Sequence, residues 1–248
     1  GVGVVAIVAL VIVGKSLLGR AVGNEALASI AVLPFVNVGG DSTDEYFSDG
    51  MTDEITAAVG NIPALRVASR SSAFTFKHKR VDVQEVGRQL KVASVLEGSV
   101  QRAGGKIRVR AQLTKVSDNF ALWSKSYEGD AKDVFELQDT IAKSIASALR
   151  VRLGSTQNAL AERRTANLEA YDLYLKGRYA WNQRTGRSLR QAADYFKQAI
   201  ARDSQFAQAH AGIAEVYVLI PFYATVRPLD AWGTARSAAV RALARGQI

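Results

Sequence analysis

The chain has no cysteine, only two histidines and only one methionine among its 248 residues. Without cysteine there is no disulfide framework, no thiolate metal site and no thiol nucleophile, although the redox compartment stays open. His78 and His210 each stand without a second ligand nearby in sequence, which argues against a metal centre. No serine sits in a G-x-S-x-G elbow or an S-x-x-K setting. The glycine-rich stretches Gly39-Gly40-Asp41 and Ala103-Gly104-Gly105-Lys106 lack the four-residue gap and Gly-Lys-Ser/Thr of a phosphate loop. No catalytic constellation is left, so the chain reads as a non-enzyme with no catalytic residue, cofactor or metal. Wholesale disorder is excluded as well, because 48% of the residues are apolar.

What is present centres on Ala93 to Gly129. The run Lys106-Ile107-Arg108-Val109-Arg110-Ala111-Gln112-Leu113-Thr114 alternates strictly. That period of two predicts a half-buried strand with Ile107, Val109, Ala111 and Leu113 inward and Arg108 and Arg110 in water. Gly104-Gly105 supplies the positive φ values of a tight hairpin turn after a first run, Ala93 to Arg102. A third strand, Phe120 to Tyr127, follows the turn-prone Ser117-Asp118-Asn119, completing a meander.

Ahead of it, Gly1 to Val13 carries no polar side chain. With Lys15 near one end, the stretch 1–19 approaches the ~20 residues of a membrane span. It predicts a transmembrane helix cut near its start, followed by a linker at 20–28. Ser29 to Val36 reads as a strand, with Pro34 at its end or on an edge. Ser42-Thr43-Asp44-Glu45 has the form of a capping box, opening a helix that buries Phe47, Met51, Ile55, Ala58 and Ile62. Leu65 to Ala68 gives a second strand, and a helix with Val83, Val86 and Leu90 inward leads to the meander. A long amphipathic helix then runs to about Leu153. The predicted fold at 29–153 is α/β, a mixed sheet with flanking helices in the order β-α-β-α-β-β-β-α.

From Asn167 the strand signal vanishes. Tyr171, Tyr174, Leu175 and Tyr179, then Ala192, Phe196 and Ala199, are followed by a second set, Ala209, Ile213, Ala214 and Tyr217, then Ala235, Ala239 and Ala242. Gly177 and Ala214 head equivalent turns, so residues 167–248 read as an α-helical repeat region, truncated at its end. Such arrays receive protein or peptide segments. The candidate partner-binding residues are Tyr174, Tyr179, Trp181 and Tyr217. Two repeats are fewer than the roughly three that such arrays need. The missing contacts must come from a downstream repeat, from the α/β part or from a second copy of the chain, which would make a homo-oligomer.

Two charge runs stand out. Asp41, Asp44, Glu45, Asp49, Asp53 and Glu54 contain no base, and first-turn acids of this kind complement the helix dipole. Arg66, Arg70, Lys77, Lys79, Arg80, Arg88 and Lys91 enclose Phe74 and Phe76. Bases beside aromatics can grip a nucleic acid, so a nucleic-acid-binding module using 66–91 is the alternative to protein binding. The net charge of +9 is uneven, with 19 Lys/Arg against 16 Asp/Glu in 1–154 and 13 against 7 in 155–248. Spread over helices, such an excess more often marks a solvated face.

Several segments resemble a known family. Ser29-Ile30-Ala31-Val32-Leu33-Pro34-Phe35, Asp44 to Glu54, Val95-Leu96-Glu97-Gly98-Ser99-Val100, Leu122-Trp123-Ser124 and Phe135-Glu136-Leu137-Gln138-Asp139 resemble, in order, the TolB-like amino-terminal domain. The branch concerned is that of bacterial one-pass membrane regulators. Residues 170–248 resemble tetratricopeptide repeats, through Gly177, Ala192, Phe196 and Ala199 and then Ala214, Tyr217, Ala235 and Ala242. They depart from the pattern at Ser204, where proline is usual, and in a long second turn bearing Pro221 and Pro228. The resemblance implies a membrane-anchored signalling or transcriptional regulator. Its cytoplasmic effector would be a winged-helix domain, a nucleotide cyclase or a Ser/Thr kinase. Residues 24–248 would be a periplasmic sensing and scaffold region of a single-pass inner-membrane protein.

Overall fold

Strict alternation in the arginine-bearing strand is realised from Lys106 to Leu113 and breaks at Thr114, which is buried where the register to the next strand shifts. In the computed structural model, which describes residues 28–39, 44–63, 65–149 and 165–245, strand β5 (Lys106–Lys115) buries Ile107, Val109, Ala111 and Leu113 and leaves Arg108 and Arg110 exposed. It is numbered after β1 (Ser29–Val32), β2 (Val36–Asn37), β3 (Arg66–Val67) and β4 (Ser94–Ala103). Gly104 and Gly105 turn the β4–β5 hairpin at φ values of 56° and 77°, a region that side chains with a Cβ avoid. A second turn, with Asn119 left-handed and Asp118 Oδ1 accepting from the Phe120 amide at 3.2 Å, starts β6 (Ala121–Asp130).

The sheet runs β3-β1-β4-β5-β6, with β2 added to β4 beyond the end of β1. The first strands pair in parallel and the meander antiparallel, so the sheet is mixed. Helices α1 (Glu45–Gly60) and α4 (Val134–Ala148) cover one face. On the other, α2 (Arg70–Phe74) and α3 (Val83–Leu90) close a smaller core around Ala31, Leu33, Phe76, Val86 and Val95.

The expected order of elements is corrected in two places. The single strand predicted over 29–36 is broken at Leu33–Phe35. Pro34 has no N–H to give, and the Phe35 amide donates to Thr52 Oγ1 of α1 at 2.9 Å. Between Val32↔Leu96 and Val36↔Ser99 the chain spends four steps against three on β4, a bulge of one residue. Between Leu65–Ala68 and the Val83 helix, where the sequence predicts no element, the chain forms α2, capped by Ser69, whose side chain accepts from the Ser72 amide. The cap expected at Ser42 is replaced by Asp44, whose side chain makes no capping bond. Ser42 and Thr43 lie outside the described residues.

The transmembrane helix and single-pass placement are also corrected. No helix among the described residues is long and apolar enough to cross a membrane. The longest, 17 residues each, fall short of the ~20 that a bilayer requires. They also interleave arginines with their apolar positions. The stretch 1–19, on which the membrane contact and a periplasmic 24–248 rested, lies outside the described residues.

Among the described residues, four α-helices follow: α5 (Leu168–Asn182), α6 (Gly186–Arg202), α7 (Ala207–Leu219) and α8 (Pro228–Ala244). Asn167 caps α5, and Thr185 and Ser188 form a capping box on α6. The fully buried Phe196 ring of α6 lies against both Gly177 and Gly212. A Cβ on either glycine would sit 2.5 or 2.7 Å from that ring. The second close crossing is therefore made by Gly212, whereas Ala214, expected there, is only half-buried. One continuous apolar core reaches from Ile30 in the sheet to Ala238 in α8.

Candidate functional site

The acids of α1 fall four residues apart, so Glu45, Asp49 and Asp53 share one face of that helix. Opposite them stand bases from the neighbouring run. Lys77 Nζ reaches Glu45 Oε1 at 2.9 Å and the two Asp49 oxygens at 2.6 and 2.7 Å, and Arg70 pairs with Asp53. Arg178 of α5 faces the same cluster and bonds Glu215 of α7 at 2.6 Å. Burial pushes the Asp49 and Asp53 carboxyls up, and their partner cations only partly offset it. Three acids of one run, Glu45, Asp49 and Asp53, thus have two bases of the other, Lys77 and Arg70, as counterions. Arg70 and Lys77 are thereby withdrawn from any nucleic-acid face, and Phe76 is buried in the smaller core.

Beside this ladder, α1 meets α5. Gly50 makes room for Leu175, whose nearest methyl would lie 2.6 Å from a Cβ at that position. Tyr46 donates its hydroxyl proton to Asp172 Oδ1 at 2.6 Å, and Arg102 Nη1 donates to the same oxygen at 2.9 Å and to the Tyr46 hydroxyl at 3.0 Å. Lys176 Nζ holds Asp172 Oδ2 at 2.8 Å. Burial alone would raise the Asp172 carboxyl, but the bonds from Lys176, Tyr46 and Arg102 hold it below the usual carboxylate range. Burial and the Asp172 carboxylate push the Tyr46 phenol well above its ordinary value.

A group whose pKa is lowered by folding stabilises above its unfolded value and loses that stability as pH falls. A raised phenol does the reverse at the alkaline end. The clasp is therefore expected to hold between about pH 4 and about pH 10, near the unfolded values of Asp and Tyr. Asp49 and Asp53, being raised, oppose the acid limb in a global melt. Amide exchange across 170–176 isolates it. Asp172→Asn should erase acid-dependent opening there and leave a weakened alkaline limb, since burial still raises the Tyr46 phenol but the carboxylate no longer does.

Above the clasp lies a cleft of about 350 Å³, lined chiefly by Tyr46 of α1, Lys176, Tyr179 and Gln183 of the α5 end, and Gln191 and Tyr195 of α6. Of the four tyrosine and tryptophan candidates, Tyr179 is in this lining. Tyr174 is buried between Phe196 and Phe206, with ring centroids 5.9 and 5.1 Å away. Trp181 is held between the guanidinium groups of Arg178 and Arg184, at 4.6 and 3.7 Å, outside the cleft lining. Tyr217 is half-buried on α7, also outside it. Sequence reasoning missed Tyr46 and Tyr195. Tyr195, next to Phe196 in an amphipathic helix, had a weak signal; Tyr46 had none, because only the α1–α5 contact brings it there.

No family model matches the chain. Over 190 residues, or 76% of its length, it is 37% identical to a protein of Rhizobium meliloti (strain 1021) named "Putative adenylate cyclase 3". It spans about a third of that relative, 32% of its length. Solved structures similar to it include TolB from Acinetobacter baumannii, with 14% identity, a TM-score of 0.39, and coverage of 52% of this chain and 30% of that one. Another is the LpoB C-terminal domain from Salmonella enterica, with 17% identity, a TM-score of 0.36, and coverage of 46% of this chain and 91% of that one.

Proposed function

We propose that this region is a non-catalytic sensing and scaffold part of a bacterial signalling protein. In this reading 29–153 is the TolB-like part, and the helices of 167–248 are tetratricopeptide-like pairs that receive a protein or peptide segment. The observation that carries the proposal is the cleft made jointly by Tyr46 of the sheet half and Tyr179 and Tyr195 of the helices. Tyrosines offer large contact area at low entropic cost and recur as anchors of interfaces. A segment seated there touches both halves, so its binding depends on how the clasp holds them. The cyclase-named relative, of which this chain matches only a part, supports a signalling context.

The test uses the full-length protein in its own cells. Tyr179→Ser with Tyr195→Ser should reduce signalling output at least tenfold while leaving the melting temperature of the isolated chain nearly unchanged. A photo-crosslinking residue at position 179 should yield an adduct that Tyr195→Ser removes. Unaltered output in the double variant would refute the assignment.

A further inference from the structure

A second cleft, about 720 Å³, shares only Glu45 with the lining just described. It is lined by the break between β1 and β2, by Glu97 and Gly98 of β4, and by the loop Phe76 to Val81 that joins α2 to α3. The backbone of these walls is already tied down. The Leu33 amide donates to the Leu96 carbonyl at 2.9 Å and the Phe35 amide to Thr52 Oγ1, while Pro34 has no N–H. In the loop, the Lys79 amide donates to the Phe76 carbonyl at 3.0 Å, and Phe76 is buried in the smaller core. Recognition in this cleft therefore falls to side chains. Its volume lies within the roughly 300–1,000 Å³ of small-molecule sites, and Leu33, Pro34, Phe76 and Val81 give it apolar surface.

Charges of both signs in this lining are unpaired. Glu97 is half-buried on β4, with no hydrogen bond or ion pair among the described residues. Burial pushes its carboxyl up, and a cation brought against it would stabilise the charged form. Lys79 and Arg80 stand exposed in the loop, also without a partner among the described residues. Their neighbour Lys77 is neutralised by Glu45 and Asp49 of α1. The backbone turns left-handed at His78, with φ 60°, between that paired lysine and the two unpaired bases. One carboxylate and two bases, sharing a lining with apolar surface, complement a molecule that is charged at both ends. A polyanion would meet Glu97 as well as the bases, which argues against a nucleic acid here.

We propose that this cleft binds a small zwitterion with an apolar body, its ammonium group on Glu97 and its carboxylate on Lys79 and Arg80. The site lies in the sheet half, uses no strand pairing and does not rest on the peptide-binding reading of the helical cleft.

Hexanoic, octanoic and decanoic acids bearing a terminal amine test it, titrated into the whole chain by calorimetry. The series acts as a ruler for the distance between the two charged ends. The amine-free acids and the carboxylate-free amines of the same lengths are the controls. At least one zwitterion should bind tenfold or more tighter than both controls of its length. Glu97→Gln, an isosteric change that removes a charge disfavoured by burial, should reduce that zwitterion to the level of its amine-free control. Lys79→Ala with Arg80→Ala, at exposed positions outside the core, should reduce it to the level of its carboxylate-free control. The proposal is overturned if no zwitterion exceeds both of its controls, or if either variant leaves the advantage of the zwitterion intact.

Discussion

Val109→Asp should lower the melting temperature by roughly 8–16 °C, taking about 4 kcal/mol for an unpaired buried charge and 2–4 °C per kcal/mol at this size. Val109 is 0% exposed and lies between Val100 on β4 and Tyr127 on β6, in the middle of the meander. Val100 has no side-chain donor, and the Tyr127 hydroxyl is already bonded to Ser144 Oγ at 3.0 Å. Arg110→Asp, one residue on, faces solvent between Ser99 and Ser126 and should change stability by no more than about 0.5 kcal/mol. Thermal melts of the two variants check the register, since a one-residue slip would exchange the two results. Equal losses would show that the strand is not buried on one side only.

Phe196→Ala should cost about 3–5 kcal/mol, the range for removing a fully buried aromatic ring. Its ring fills the space that Gly177 and Gly212 leave on α5 and α7, and it packs on Tyr174 as well. The void would therefore open at the point where three helices cross, and two of its walls are backbone that cannot collapse inward. Phe196→Leu, which keeps most of the volume, should lose distinctly less. Because one core joins the helices to the sheet, the alanine variant should also loosen α1 against α5. Denaturant unfolding followed at Trp123 in the sheet and Trp181 in the helices checks this. Two separated transitions, with the sheet unaffected, would contradict the shared core.

The sequence determined by itself what depends on near neighbours. The alternation of Lys106 to Leu113 dictated which face each side chain takes, because a strand has no other way to segregate Ile107 and Val109 from Arg108 and Arg110; Thr114, buried at a register shift, follows its neighbours in space instead. Gly104-Gly105 dictated the turn, because positive φ at two successive positions suits glycine. The 3–4 spacing of Ala192, Phe196 and Ala199 dictated a helix with one buried stripe. The split at Leu33–Phe35 was half visible in Pro34; its cause, the bond from the Phe35 amide to Thr52, involves a helix 17 residues further on. Tertiary structure alone decided how the charge runs are used, since the pairing of Lys77 with Asp49 and of Arg102 with Asp172 spans 28 and 70 positions. It also brought the sheet half against the short helical array, with Leu175 packed on Gly50 and Gln138 donating to Tyr171 at 2.9 Å. Periodicity fixes which face of an element is apolar; which other element covers it depends on shape and on distant charges, and these meet only when the chain is folded.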